Sequence, residues 1–183
     1  MIVNDPSRSR RSSIILAVVL ALAQLALVPY LGLLGGRANL ALVLVGCATL
    51  GGDAQKAPAI GFAAGLFFDL SGSGPIGLMA LLLTGCAYLM AAADRSRVAD
   101  DLAGAATLFV PAALAVELAY AVVLLVTGAS SSFVDAVFLR ALPGATLDCV
   151  VFGLVGLVLS RAQGPASGVG GRSRGSHLSM KGL

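Results

Sequence analysis

The sequence predicts an all-α membrane protein, and three observations carry that expectation. Hydrophobic residues make up 58% of the 183 residues and charged residues only 11%, whereas roughly a quarter of a typical soluble domain is charged. The mean hydropathy is +0.96. The charged residues that remain gather in short flanks between long apolar stretches, the arrangement of a chain that crosses a bilayer repeatedly. A crossing takes roughly 20 apolar residues for a hydrocarbon layer of about 30 Å, so residues 14–160 have room for about six, forming one transmembrane domain. A basic flank, residues 1–13, comes before it. A Gly-, Ser- and Arg-rich tail, residues 161–183, follows and carries too little apolar content to fold by itself, so it is expected to be disordered.

The first apolar stretch covers residues 14–34, interrupted mainly by Gln24 and Pro29, behind a flank containing Arg8, Arg10 and Arg11. It is too long for the apolar core of a cleavable signal, and no small-residue cleavage site precedes a polar mature chain, so the first helix is expected to be retained. Gly35, Gly36 and Arg37 break the pattern ahead of a second, short run, residues 38–50. A third run, residues 57–70, ends at the breaker Ser71-Gly72-Ser73-Gly74-Pro75. These two runs form either two short helices or one re-entrant hairpin. Residues 76–93 make a fourth helix, closed by Asp94, Arg95, Arg97, Asp100 and Asp101. Residues 102–127 and 137–160 complete the set.

The distribution of basic residues tests this count. With the N-terminus in the cytoplasm, six crossings place ten of the twelve Lys and Arg on the cytoplasmic side and leave only Arg37 and Arg140 outside. A five-crossing count moves Arg95 and Arg97 outside and worsens the balance. Six helices with both termini cytoplasmic is therefore the expectation.

Several function classes conflict with the composition. The net charge of +3 comes from residues flanking apolar segments, not from a basic face interleaved with aromatics, so nucleic acid is not an expected partner. Cys47, Cys86 and Cys149 lie inside apolar runs without the close Cys/His pairing of a zinc site, and read as small buried hydrophobes; no metal or cofactor is expected. The single histidine, His177, is in the tail, which removes the usual general base from the membrane region. The glycines around residues 71–77 follow no strand and precede no Gly-Lys-Ser/Thr, and Ser130 to Ser132 have no partner base. Catalysis is not expected.

The most informative segment is Gly61-Phe62-Ala63-Ala64-Gly65-Leu66-Phe67-Phe68-Asp69-Leu70, followed by Gly74-Pro75-Ile76-Gly77-Leu78. Ala57, Gly61, Gly65 and Asp69 recur every four residues, so one helix face is a groove of small residues with a carboxylate at its outer end. Such grooves let a neighbouring backbone approach closely, whether in the same chain or in a partner. Asp69, costly at a membrane helix end unless solvated or paired, marks an interface or functional position. It has three options: an ion pair with Arg37 or Arg140, a cap on the 71–77 turn, or a group from a partner. Glu117 and Asp148 lie deeper. Counting 1.5 Å per residue, they sit about 22 Å and about 16 Å from opposite helix ends, and so at similar depth. Each is open to three readings: a satisfied polar contact, to the other carboxyl or to Tyr120, Gln24 or Thr84; part of an ion or substrate pathway; or a contact to a partner helix.

The string from Gly61 to Leu70, the downstream Gly74-Pro75-Ile76-Gly77-Leu78 and the upstream Arg37-Ala38-Asn39-Leu40 resemble the rod shape-determining protein MreD family. The likeness is carried by residues 14–93; the last two helices match only in hydropathy, and Ala38 stands where the family often has proline. The resemblance implies a multi-pass inner-membrane subunit of the bacterial cell-wall elongation complex. Such a subunit binds the scaffold MreC, together with other membrane proteins of the complex, and supports peptidoglycan synthesis and cell shape. It also implies Gly61, Gly65, Asp69, Gly74, Pro75 and Gly77 as a partner or helix-packing interface. In size, helix count and Gly-rich helices the chain also resembles the substrate-binding subunits of energy-coupling factor vitamin transporters, the alternative reading. A vitamin site calls for a polar or aromatic outer pocket; with no tryptophan, three tyrosines and short outer loops, the sequence offers little material for one.

Overall fold

The computed structural model describes residues 6–26, 28, 30, 32–33, 36–50, 55–72, 74–94, 102–129 and 132–162. Arg95, Arg97, Asp100, Asp101, Ser130, Ser131 and the residues beyond 162 lie outside the described residues, as do Gly35, Ser73 and residues 51–54.

Six α-helices dominate: α1 (Pro6–Ala26), α2 (Leu40–Leu50), α3 (Ala57–Ser71), α4 (Leu78–Asp94), α5 (Leu102–Val126) and α6 (Leu142–Ala162). The second and third apolar runs are thus two separate helices. At 1.5 Å per residue α2 is only about 16 Å long and α3 about 22 Å, both less than the roughly 30 Å of a hydrocarbon core. Among the described residues, two helices are long and apolar enough to cross a membrane by length and composition, Ala103–Val126 and the continuous helix Asp135–Leu159.

Three elements depart from the apolar pattern. The first helix begins at Pro6, inside the basic flank, and stops at Ala26 instead of continuing to residue 34. Pro29 explains the early stop, since it has no N–H to donate and disfavours helical backbone at the residue before it; the Val28 N–H closes the last turn on the Ala23 carbonyl at 3.3 Å. Two short antiparallel strands follow, β1 (Gly32–Leu33) and β2 (Gly36–Arg37). Finally, α6 is entered through a π-helical stretch, Asp135–Ala141, and the Leu142 N–H bonds back to the Val137 carbonyl. Pro143 stands just beyond this stretch. It supplies no N–H to a preceding turn and crowds the carbonyl four residues earlier, which favours a wider turn there.

The contacts between helices give their directions. Gly61 and Gly65 of α3 lie against Leu83 and Ala80 of α4, so these two run antiparallel. The Phe109 and Phe152 rings stack at 4.0 Å and 6° while Glu117 lies against Gly144, so α5 and α6 are also antiparallel. Asn39 meets Asp148 and Gly46 meets Phe152, making α2 and α6 parallel. Phe68 of α3 and Tyr120 of α5 pack edge-to-face at 6.5 Å, so those two are parallel. From α2 to α6 the helices alternate in direction, and β2, the 72–77 turn and the π stretch gather at one end of the bundle.

Side-chain size separates inside from outside. The core is rich in small residues, including Ala57, Ala64, Ala80, Ala87, Ala113 and Ala145, whereas Leu81, Leu89, Val126, Leu154 and Val158 are exposed. An apolar exterior of this extent matches lipid better than water. The hydroxyls of Thr49, Ser71, Thr84 and Thr127 donate to carbonyls four residues back in the same chain segment. Such bonds leave few polar groups to face hydrocarbon. Gly46 opens a slot for the aromatic stack, since a Cβ there would fall 2.6 Å from the Phe109 ring.

Candidate functional site

The residues singled out by spacing fall into two adjoining places, a glycine seam between α3 and α4 and a polar chamber at the loop end of the bundle. In the seam, a Cβ on Gly61 would stand 2.5 Å from the Leu83 carbonyl oxygen, and one on Gly65 would stand 2.5 Å from both the Ala80 Cα and the Met79 carbonyl oxygen. These neighbours are backbone and have no rotamer by which to yield. The groove of small residues is therefore filled by a helix of the same chain.

Asp69 ends the seam. It is 3% exposed, and its carboxylate accepts three backbone N–H bonds: from Gly77 at 2.9 Å, Met79 at 3.2 Å and Ala80 at 3.1 Å. These donors belong to the first turn of α4 and its approach, where a helix has no carbonyls of its own to offer them and where a negative charge complements the helix dipole. Of the three options open to Asp69, the described bonds show the cap. Gly77 makes the turn feasible with a left-handed φ of +94°, a conformation glycine adopts without steric cost. The Pro75 carbonyl accepts from Leu78 at 3.3 Å, and the Gly77 carbonyl accepts from Leu81 at 3.0 Å. Gly74 lies against the Tyr120 hydroxyl.

Glu117 and Asp148, expected at similar depth, are electrostatic neighbours, and beside them lies a residue the charge pattern does not highlight. Asn39 is 1% exposed; its backbone N–H donates to Asp148 Oδ1 at 2.5 Å, and its side-chain amide lies within hydrogen-bonding reach of Glu117 and 3.5 Å from Met79 Sδ. Its Oδ1 accepts the Leu42 N–H at 3.2 Å, so Asn39 also caps α2. An Asn directly ahead of an apolar run is a recognisable helix-start signal, but its bond to a carboxylate 109 residues away is not a local property. Gln24 and Thr84 do not serve the carboxylates in the described hydrogen bonds: Gln24 Oε1 accepts the Leu40 N–H at 2.8 Å, and the Thr84 hydroxyl donates to the Ala80 carbonyl. Asp148 Oδ2 is buried without a hydrogen-bond partner among the described residues.

Around these groups lies a half-open chamber of about 750 Å³, lined on its polar side by Arg37, Asn39, Asp69, Glu117, Tyr120 and Arg140. The scarcity of aromatic residues and the short loops do not prevent such a pocket, because backbone packing sets it. Gly36 seats the β hairpin on the entry to α6, where a Cβ would fall 2.7 Å from the Gly144 nitrogen and 2.8 Å from the Arg140 carbonyl oxygen. Gly144 in turn admits Glu117, whose Oε2 would be 3.3 Å from a Cβ at that position.

The Asn39–Asp148 bond gives a direct test. Asp148→Leu leaves a buried N–H without its acceptor and is expected to cost about 1 to 3 kcal/mol of stability. Asp148→Asn keeps one oxygen for Asn39 and replaces the unpartnered oxygen with a donor, so its thermal unfolding midpoint in detergent should stay close to that of the unaltered protein. Equal losses in both variants would remove the acceptor role assigned to this carboxylate.

Residues 9–160 match the family model of the rod shape-determining protein MreD. No curated protein and no solved structure matches the chain significantly. The family match takes in the seam, the Asp69 cap, the chamber and the last two helices alike, and by it the chain belongs to the MreD family of membrane-associated proteins with a role in rod shape determination.

Proposed function

We propose that this protein is a non-catalytic, multi-pass inner-membrane subunit of the cell-wall elongation complex, with six crossings and both termini in the cytoplasm. In that role it binds an MreC-like scaffold and other membrane proteins of the complex and supports peptidoglycan synthesis. The observation that carries this reading is the match to the MreD family over residues 9–160. The alternating helix directions and the apolar exterior support a multi-pass arrangement, and the ten-to-two asymmetry of basic residues supports its orientation. Because Gly61 and Gly65 are occupied by α4, the partner surface of this reading lies on the outward faces of the helices and at the chamber end.

Purification of the full chain in mild detergent, with identification of co-purifying proteins, tests the assignment: a cell-wall scaffold is the expected companion. The second reading, a substrate-binding subunit of an energy-coupling factor vitamin transporter, is favoured by the polar chamber. Recovery of ATPase subunits in place of the scaffold would select it. For topology, reporter fusions after Arg161 and near Arg95 should both read cytoplasmic and one near Ser131 external. An external reading at Arg95 would eliminate the six-crossing arrangement.

A further inference from the structure

The chamber carries an inference that goes beyond subunit assembly. Its volume of about 750 Å³ is within the range of small-molecule sites, and its lining carries charges of both signs. Arg37 reaches it from β2 and Arg140 from the π stretch, both exposed. Glu117 lines it, with the buried Asp148 as its electrostatic neighbour. Asp69 is already engaged by three backbone N–H groups, so of the two carboxyls that line the chamber Glu117 is the one with acceptor capacity left. Asp148 lies behind the chamber wall, where its Oδ1 accepts the Asn39 N–H. The π stretch adds a second, independent feature. Widened turns of this type recur at functional sites, and this one sets Ala136, Arg140 and Ala141 on the chamber wall. Phe68, Met79 and Leu124 provide an apolar part of the lining.

We infer that the chamber binds an amphipathic zwitterion, a phosphate ester carrying a primary ammonium group. The phosphate is held by Arg37 and Arg140, whose guanidiniums suit paired hydrogen bonds to phosphate oxygens. The ammonium donates toward Glu117, and the ester's apolar portion lies against Phe68, Met79 and Leu124. This chemistry has two sources, an aminophospholipid of the bilayer or a free solute with the same headgroup. The inference stands whether the co-purifying partner is a scaffold or an ATPase.

The test titrates the full-length protein in detergent with short-chain phosphatidylethanolamine, phosphatidylcholine and phosphatidic acid, and with O-phosphoethanolamine, reading binding by native mass spectrometry and thermal shift. The ethanolamine lipid should bind saturably and at least about tenfold more tightly than the choline lipid or phosphatidic acid, since neither can donate an N–H to a carboxylate. Arg37→Gln together with Arg140→Gln, at exposed positions, should weaken it by about tenfold or more while the unfolding midpoint without ligand stays unchanged. Glu117→Gln should erase the preference for ethanolamine over choline. Tighter binding of the lipid than of O-phosphoethanolamine assigns the ligand to the bilayer, and equal binding assigns it to solution; either result supports the site. Equal affinity for the ethanolamine and choline lipids, no saturable binding of any probe, or unchanged binding by the double arginine variant would each overturn it.

Discussion

Gly65→Leu is expected to be the most damaging single substitution in this protein. The first carbon of the new side chain would already stand 2.5 Å from the Ala80 Cα and the Met79 carbonyl oxygen, and 2.6 Å from the Ala80 nitrogen, and three further carbons would follow. Overpacking commonly costs about 1 to 3 kcal/mol and occasionally more when the surroundings cannot move. Here the obstacle is helix backbone, so the cost should reach or exceed the upper end. Separating α3 from α4 would also pull Asp69 away from the N–H groups it caps. Gly65→Ala should show the same defect in smaller measure, and Gly85→Ala should show none, because a Cβ on Gly85 meets nothing within 4 Å. Thermal unfolding in detergent, with the yield of folded protein and of co-purifying partner, measures the series. A Gly65→Leu protein as stable as the Gly85→Ala protein would argue against the close approach of α3 and α4.

The second large effect is expected at Asp69. Asp69→Ala removes the acceptor of three N–H groups at once, those of Gly77, Met79 and Ala80. Met79 and Ala80 are 1% and 2% exposed, so water is poorly placed to replace the carboxylate. Each buried donor left unpaired costs about 1 to 3 kcal/mol. The loss should therefore exceed the roughly 0 to 1 kcal/mol at stake in an exposed ion pair. Asp69→Asn should fall between, since it retains one acceptor oxygen but turns an amide N–H₂ toward other donors. Asp135→Ala, at an exposed residue of the π stretch, should leave both stability and partner recovery unchanged. Equal behaviour of Asp69→Ala and Asp135→Ala would sink the capping role.

Both effects are partly legible in the sequence. The spacing of Gly61, Gly65 and Asp69 puts them on one face, and the apolar runs mark α3, α4 and α5 to within about two residues at each end, because the period of a helix is a local property. Other features leave weaker marks. The apolar run carries the first helix on to residue 34, past the Pro29 that accounts for its end at Ala26, and the strands that follow depend on Gly36 fitting against Gly144 and Pro143. Pro143 invites an irregular turn, but the size of the π stretch emerges only where α6 meets its neighbours. The Gly46 slot is invisible until Phe109 and Phe152, far along the chain, stack beside it.

The sequence by itself determined the all-helical, strongly apolar class of the chain, the approximate extent of α3, α4 and α5, and the small-residue face of the third helix. Those depend on local apolar length and on residue spacing, which a bilayer and a helix read directly. Only the tertiary structure decided that the glycine face meets α4, that Asp69 caps that helix, that Asn39 bonds Asp148, and that a polar chamber opens beside Arg37 and Arg140. The reason is that a buried polar group must take its partner from whichever segment reaches the same depth. In this bundle that segment is often many residues away: Asn39 finds Asp148 across 109 positions of chain.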